Sequence, residues 1–219
     1  MKKKLIIYQT FVRIFGNRNL TRKEFGTIAE NGAGKMNDFT SETLKQIRDF
    51  GANCIWFTGI LRHATTTDYF RFGIPSQNPR VVKGRAGSPY AIVDYYDIDP
   101  DLAVDVSKRM QEFEALVKRT HEKGMMVAID FVPNHVARQY KSIAKPDGVS
   151  DLGENDDCGK HFSAENNFYY CPGCALDLSD IPVEEYAQNS EPYEEFPARC
   201  TGNDRFDAHP GANDWFETV

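Results

Sequence analysis

No stretch of this 219-residue chain approaches the roughly 18 consecutive apolar residues that cross a bilayer, so no membrane partner is expected. No glycine-rich phosphate cradle follows any apolar run, and no internal repeat is present, which argues against nucleotide-binding loops and repeat architectures. Positive charge is short. The 26 Lys and Arg face 32 Asp and Glu, a formal balance of −6, which argues against an electrostatic grip on nucleic acid or anionic lipid. A secretory leader is not expected either. In "MKKKLIIYQTFVRIFG" the apolar stretch is interrupted by Gln9, Thr10 and Arg13, and no small-residue cleavage site follows. The segment reads as a strand over Leu5–Phe11, and the cytoplasm is the expected compartment.

Cysteines are few and odd in number: Cys54, Cys158, Cys171, Cys174 and Cys200. Cys54 lies in an apolar run and reads as a small core hydrophobe. "CPGC" (171–174) has Cys-x-x-Cys spacing, and with Cys158 and Cys200 it would match the ligand count of a tetrathiolate zinc site. The flanking pair lacks the close spacing of a zinc knuckle, so thiols in a surface loop are the expectation.

Three short apolar runs are present: "LIIYQTF" (5–11), "NCIWFTGI" (53–60) and "MMVAIDFV" (125–132). Each is too short for a typical helix and too continuously apolar for a half-exposed strand, which predicts parallel strands buried on both faces. Helical patterns separate them. One runs over 41–50, with Leu44, Ile47 and Phe50 at helical spacing, Thr40 or Ser41 as N-cap and Gly51 past the end. The second spans 105–123, with Val106, Met110, Phe113 and Val117 on one face and Gly124 as terminator. The order β-α-β-α-β predicts an α/β fold with right-handed crossovers. Helix-to-strand links are tight, whereas the strand-to-helix links 12–39, 61–104 and everything after 135 are long. Such excursions after carboxyl strand ends are where α/β proteins build their sites.

"AIDFVPNHVA" (128–137) ends the third run with Asp130, Asn134 and His135. Taken alone, it reads equally as a polar strand end with a capping Asn. "GRAGSPYAIVDYYDIDP" (84–100) adds Tyr90, Asp94, Tyr95, Tyr96, Asp97 and Asp99 in what reads as a turn-rich loop.

Together, "SPY…DYY.ID", a helix, and then "D-x-x-x-N-H" at a strand end resemble the alpha-amylase superfamily (glycoside hydrolase family 13). "IIYQTFVRIFG" and "GANCIWFTGI" look like that family's first and second strands. The resemblance implies a partial TIM (β/α)8 barrel: residues 1–135 as its N-terminal part, 136–205 as an irregular insertion subdomain after the third strand, and 206–219 as a return towards the barrel. It implies that Tyr90 stacks beneath a sugar ring, that His135 donates a hydrogen bond to that sugar, and that Asp130 orients neighbouring groups. Asn134 would be a ligand of a structural calcium. The implied partner is an α-glucan, cleaved by a retaining mechanism with an Asp nucleophile and a Glu acid/base. No residue within the chain matches those two motifs, so they are expected after Val219, the chain alone is expected to be inactive, and an exposed barrel edge is expected to drive self-association. Two alternatives accompany this reading: a non-catalytic carbohydrate- or partner-binding relative, and a transglycosylase or isomerase of the same superfamily.

Overall fold

The computed structural model describes residues 4–200, Ala208 and the strand Trp215–Glu217. The stretch 201–205 of the expected insertion, and most of the expected return 206–219, lie outside the described residues. In chain order the regular elements are β1 (Ile7–Phe11), the single-turn helix α1 (Ile28–Asn31), α2 (Ser41–Asp49), β2 (Cys54–Thr58), β3 (Leu61–His63), β4 (Ile92–Ile98), α3 (Arg109–Glu122), β5 (Met126–Ile129), β6 (His135–Ala137), β7 (Tyr170–Cys171), β8 (Ala198–Arg199) and β9 (Trp215–Glu217). None of the described helices is long and apolar enough to cross a membrane.

Two compact units divide the chain. The first comprises residues 1–62, 71–73 and 97–131, and the second 63–70, 74–96 and 132–219.

In the first unit β1, β2 and β5 form one sheet in that order, and both pairings are parallel. This is the β-α-β-α-β arrangement that the three apolar runs predict. Burial departs from expectation. Only β2 is largely enclosed, while Ile7 on β1 and Met126 and Ile129 on β5 are half exposed. Composition alone does not say which side of an apolar strand receives a neighbour.

Helix α2 starts where Thr40 Oγ1 accepts the amide hydrogen of Thr43 at 3.1 Å. It buries Leu44 and Ile47 and ends before Gly51, whose φ of +114° lies in the region that suits glycine. Phe50, expected on the buried face, instead projects into solvent. Helix α3 likewise buries Leu116 and Thr120 rather than the expected stripe, with Met110 and Phe113 packed at the margin of the core. The stripe is displaced because Val106 belongs to a separate 3-10 turn (Val106–Lys108), outside the helix register.

Phe39, Leu44, Ile55, Phe57, Leu102 and Leu116 are fully enclosed at the centre of this unit. Phe39 stacks on Phe15 at 4.2 Å and meets Phe57 edge-on at 5.0 Å.

The 84–100 segment corrects the loop expected there: Ile92–Ile98 is an extended strand, β4, paired with β3. Its acids, Asp94 and Asp97, are buried rather than turned to solvent. The second unit has two small cores, one of Ala64, Val82, Ala91, Val93 and Ala137, the other of Val136, Tyr140, Phe168 and Tyr170. Gly87 admits the tight approach that closes the first. Its φ is +71°, and a Cβ there would fall 1.6 Å from the carbonyl oxygen of Ala64. Two antiparallel pairs, β6–β9 and β7–β8, complete the unit.

Candidate functional site

In the first unit, polar residues gather where the parallel strands end. Asp130 follows β5 directly. Its two carboxylate oxygens accept separate bonds, Oδ1 from the Trp56 indole N–H at 2.7 Å and Oδ2 from the Gly59 amide at 2.8 Å. Both donors belong to β2 or the turn after it, so Asp130 ties the ends of two neighbouring strands together. On the other side of β2, Gln9 donates to Thr58 Oγ1 at 3.0 Å.

The acids around β4 are structural. Asp94 is fully buried: Oδ1 accepts from the Tyr96 amide at 2.8 Å, and Oδ2 accepts from the amides of Ile143 and Ala144 at 2.7 and 3.1 Å. Asp97 lies between two guanidinium groups, with Arg62 Nε at 3.2 Å and Arg109 Nε at 2.6 Å. Asp99 Oδ1 accepts the Asp101 amide at 2.8 Å, which starts a 3-10 turn, and Asp101 pairs with Arg13. Asp94, Asp97 and Asp101 are thus each matched by donors, as low-dielectric surroundings require.

In the second unit Asn134 and His135 are brought together. The Asn134 side-chain N–H₂ donates to His135 Nδ1 at 2.9 Å. An Nδ1 that accepts leaves the proton of the neutral imidazole on Nε2, so His135 presents a donor there. The turn carrying this pair is anchored by Tyr95, whose hydroxyl donates to the carbonyl oxygen of Val132. Burial pushes the Tyr95 phenol up to about 12, which keeps it a donor across the physiological range. Tyr95 stood out in the sequence only as one of several tyrosines; its position four residues before Asp99 gave no sign of this anchoring role. Tyr90 lies in the same unit with 42% of its surface exposed. Asp130, in the first unit, is held independently of these residues.

The calcium implied at Asn134 would need oxygen donors beyond that one side chain. Its amide nitrogen is engaged by His135, which leaves one oxygen, where calcium takes six to eight. The acids of the 152–157 stretch are engaged locally: Asp156 accepts the amides of Asn167 and Phe168, and Asp157 pairs with Lys160. Among the described residues, the group of His, Cys, Asp or Glu side chains that converges closely enough to hold a metal lies elsewhere. Among the described residues, the His, Cys, Asp and Glu side chains gather no calcium donor set at Asn134, and no chemistry is routed through one.

That convergent group is His161, Cys171 and Cys200, whose ligand atoms all lie within 4.8 Å of one another. It departs from the surface-loop expectation for the thiols, since Cys200 is fully buried. His161 escaped sequence reasoning; the signal that marks it is the Cys-x-x-His spacing of Cys158 and His161 beside the Cys-x-x-Cys of 171–174. Cys54 does sit in the core, where burial raises its thiol pKa.

Comparison with known proteins gives a match of the alpha-amylase catalytic-domain family model to residues 20–172. The chain is similar to Maltase 1 of Drosophila virilis, with 29% identity over 126 residues, covering 56% of this chain and 16% of that protein. It is also similar to the amino acid transporter heavy chain SLC3A1 of Rattus norvegicus, 39% identical over 51 residues, covering 23% of this chain and 7% of that protein. Among solved structures, an alpha-amylase from Lactobacillus plantarum matches with a TM-score of 0.43 and 28% identity, over 64% of this chain and 24% of that one. The chain thus spans about a sixth of the length of the maltase it resembles.

Proposed function

Since this chain belongs to the alpha-amylase catalytic-domain family, we propose that it supplies the first three strands of a (β/α)8 barrel in a glycoside hydrolase acting on α-glucans. The observation that carries the proposal is the Asp-x-x-x-Asn-His motif of residues 130–135, which begins directly after the third of three adjacent parallel strands. Sites of such barrels lie at the carboxyl ends of the strands.

In this reading Tyr90 offers its exposed ring to the CH face of a sugar, and His135 donates from Nε2 to a sugar hydroxyl. The tautomer set by Asn134 is the one this role requires. Asp130 acts as a positioning residue through Trp56 and Gly59. Retaining hydrolysis needs two carboxyls about 5–5.5 Å apart, one nucleophilic and one protonated. Asp94, Asp97 and Asp101 are each committed to amides or guanidinium groups, which supports assigning both catalytic roles to residues other than these. The exposed Met126, Ile129 and Phe131 on and just after β5 support self-association through that strand.

The test is reducing-end release from maltoheptaose by the purified 219-residue chain, with sugar binding measured in parallel. Binding weakened by His135→Ala and Tyr90→Ala, without turnover, is the expected result. Robust turnover abolished by His135→Ala would mean that acids within 1–219 do the chemistry, and the proposal would fall.

A second reading, that the parent is a non-catalytic relative, is favoured by the similarity to a transporter heavy chain. The reading frame downstream of codon 219 separates the two. A strand-end Asp and Glu in family context support the hydrolase, and their absence supports the non-catalytic relative.

A further inference from the structure

We propose that His161, Cys171 and Cys200 form a transition-metal site for a zinc-class divalent cation in the second unit, independent of the sugar chemistry. Three separate stretches of chain deliver these side chains. Cys171 ends β7, Cys200 follows β8, and His161 precedes Cys171 by ten residues. The two sulfurs approach to 2.7 Å, and Cys200 Sγ lies 3.9 Å from His161 Nδ1.

The donor set selects the metal. Two thiolates and an imidazole are soft to borderline ligands suited to zinc, and they are wrong for calcium or magnesium, which take oxygen. Binding is balanced: two thiols release two protons, and the resulting two negative charges neutralise a divalent cation beside a neutral imidazole.

The surroundings are built for a ligating histidine. His161 Nδ1 lies 2.7 Å from the carbonyl oxygen of Tyr170, the residue next to Cys171, and the Tyr170 amide donates back to the His161 carbonyl at 3.1 Å. Nδ1, the nitrogen 3.9 Å from Cys200 Sγ, cannot both donate to this carbonyl and ligate a metal: ligation through Nδ1 replaces the Tyr170 hydrogen bond, and ligation through Nε2 keeps it. The Tyr169 ring, 6.2 Å away, flanks the imidazole.

A disulfide is the competing outcome for the two sulfurs. Register argues against it. Cys171 stands opposite Ala198, so Cys200 is its diagonal neighbour two residues on. Diagonal positions are separated by roughly 7–8 Å at the backbone, at or beyond the usual disulfide span. Two zinc–sulfur bonds of about 2.3 Å at a tetrahedral angle hold the sulfurs roughly 3.7 Å apart, so metal binding requires them to separate from their present 2.7 Å approach. The half-exposed Cys171 is the side chain with room to move outward. Cys174 sits three residues on in the same turn, where its amide donates to the Cys171 carbonyl at 3.0 Å, and its exposed thiol is the candidate for the fourth position.

The experiment is metal analysis of the chain purified without chelator, then titration of the demetallated protein with zinc in competition with a chromophoric chelator. Cobalt replacement follows as a spectroscopic probe. About one equivalent of bound zinc, with thiolate-to-cobalt charge-transfer bands, is expected. Cys171→Ser and Cys200→Ser should abolish both, and His161→Ala should weaken binding. The competition titration and the cobalt spectrum need only the wild-type chain, so misfolding of a variant does not remove the test. Three results would overturn the proposal: no stoichiometric metal, metal retained by folded Cys171→Ser and Cys200→Ser variants, or a Cys171–Cys200 disulfide found by peptide mapping of protein kept anaerobic. Maltoheptaose binding is scored separately, so failure of the metal site and failure of the hydrolase assignment are distinguishable.

Discussion

Replacing Asp130 with Ala removes one acceptor group and strands two donors. The Trp56 indole N–H and the Gly59 amide, at 2.7 and 2.8 Å, both lose their partner. A hydrogen bond to a charged group contributes about 1.5–3 kcal/mol net. Asp130 and Trp56 are only half buried, so water replaces part of the loss on that side. The lower end of the range is therefore appropriate for each bond, which gives about 3 kcal/mol for Asp130→Ala. Asp130→Asn keeps the shape and one carbonyl oxygen but turns an amide N–H₂ towards the other donor. Its cost should be about half as large, ~1.5 kcal/mol. Against a typical domain stability of about 5–15 kcal/mol, the Ala variant is a substantial loss. Urea unfolding followed by far-UV circular dichroism measures both values. Amide exchange at Gly59 supplies the local readout, because its N–H is protected by Asp130 itself. An Asp130→Ala chain within about 0.5 kcal/mol of wild type, the range usual for surface substitutions, with Gly59 exchange unchanged, would refute the idea that Asp130 clasps two strand ends.

Gly87→Ala should prevent the second unit from reaching its native fold, since the added carbon would overlap the Ala64 carbonyl and sit at positive φ; the check is loss of soluble, protease-resistant protein relative to Gly84→Ala, where φ is also positive but space is open. Asp97→Asn should cost about 3–5 kcal/mol, because it leaves the guanidinium groups of Arg62 and Arg109 without their shared counter-charge; equal urea midpoints for variant and wild type would contradict this. Glu195 gives a pH prediction. Burial pushes its pKa up, but Arg199 and Arg138 outweigh that and hold it below the ordinary 4.5. A depressed carboxyl contributes stability that is present above 4.5 and lost as pH falls through the folded value. Melting temperature should therefore drop more steeply below pH 4.5 in wild type than in Glu195→Gln, and parallel profiles would show that the ion pair does not matter.

The parallel strands and both main helices were legible because their apolar periods are strong and Gly51 and Gly124 close the helices. Strand β4 was not. "IVDYYDI" carries two aspartates and two tyrosines of turn-like composition, and only burial of Asp94 and Asp97 among backbone amides and arginines explains how acids line a strand. The site was legible as a motif, since Asp130, Asn134 and His135 stand close in sequence. Their separate partners were not, because Trp56 and Tyr95 arrive from strands 74 and 37 positions away in the chain. His161 was hidden for the same reason: its neighbours Cys171 and Cys200 converge only after β7 and β8 pair.

The β6–β9 pairing has a consequence for the order of folding. His135 stands opposite Glu217, so this ribbon closes a loop of about eighty residues. Closing a flexible loop of that length carries an entropic cost of about 4 kcal/mol, and only three residues on each strand repay it. The ribbon therefore cannot form first. The intervening chain must shorten the effective loop beforehand, by gathering Tyr140, Phe168 and Tyr170 into their local cluster and by pairing β7 with β8. The pairing of His135 with Glu217 is then among the last contacts to form, and a chain still being synthesised cannot make it until Glu217 has left the ribosome.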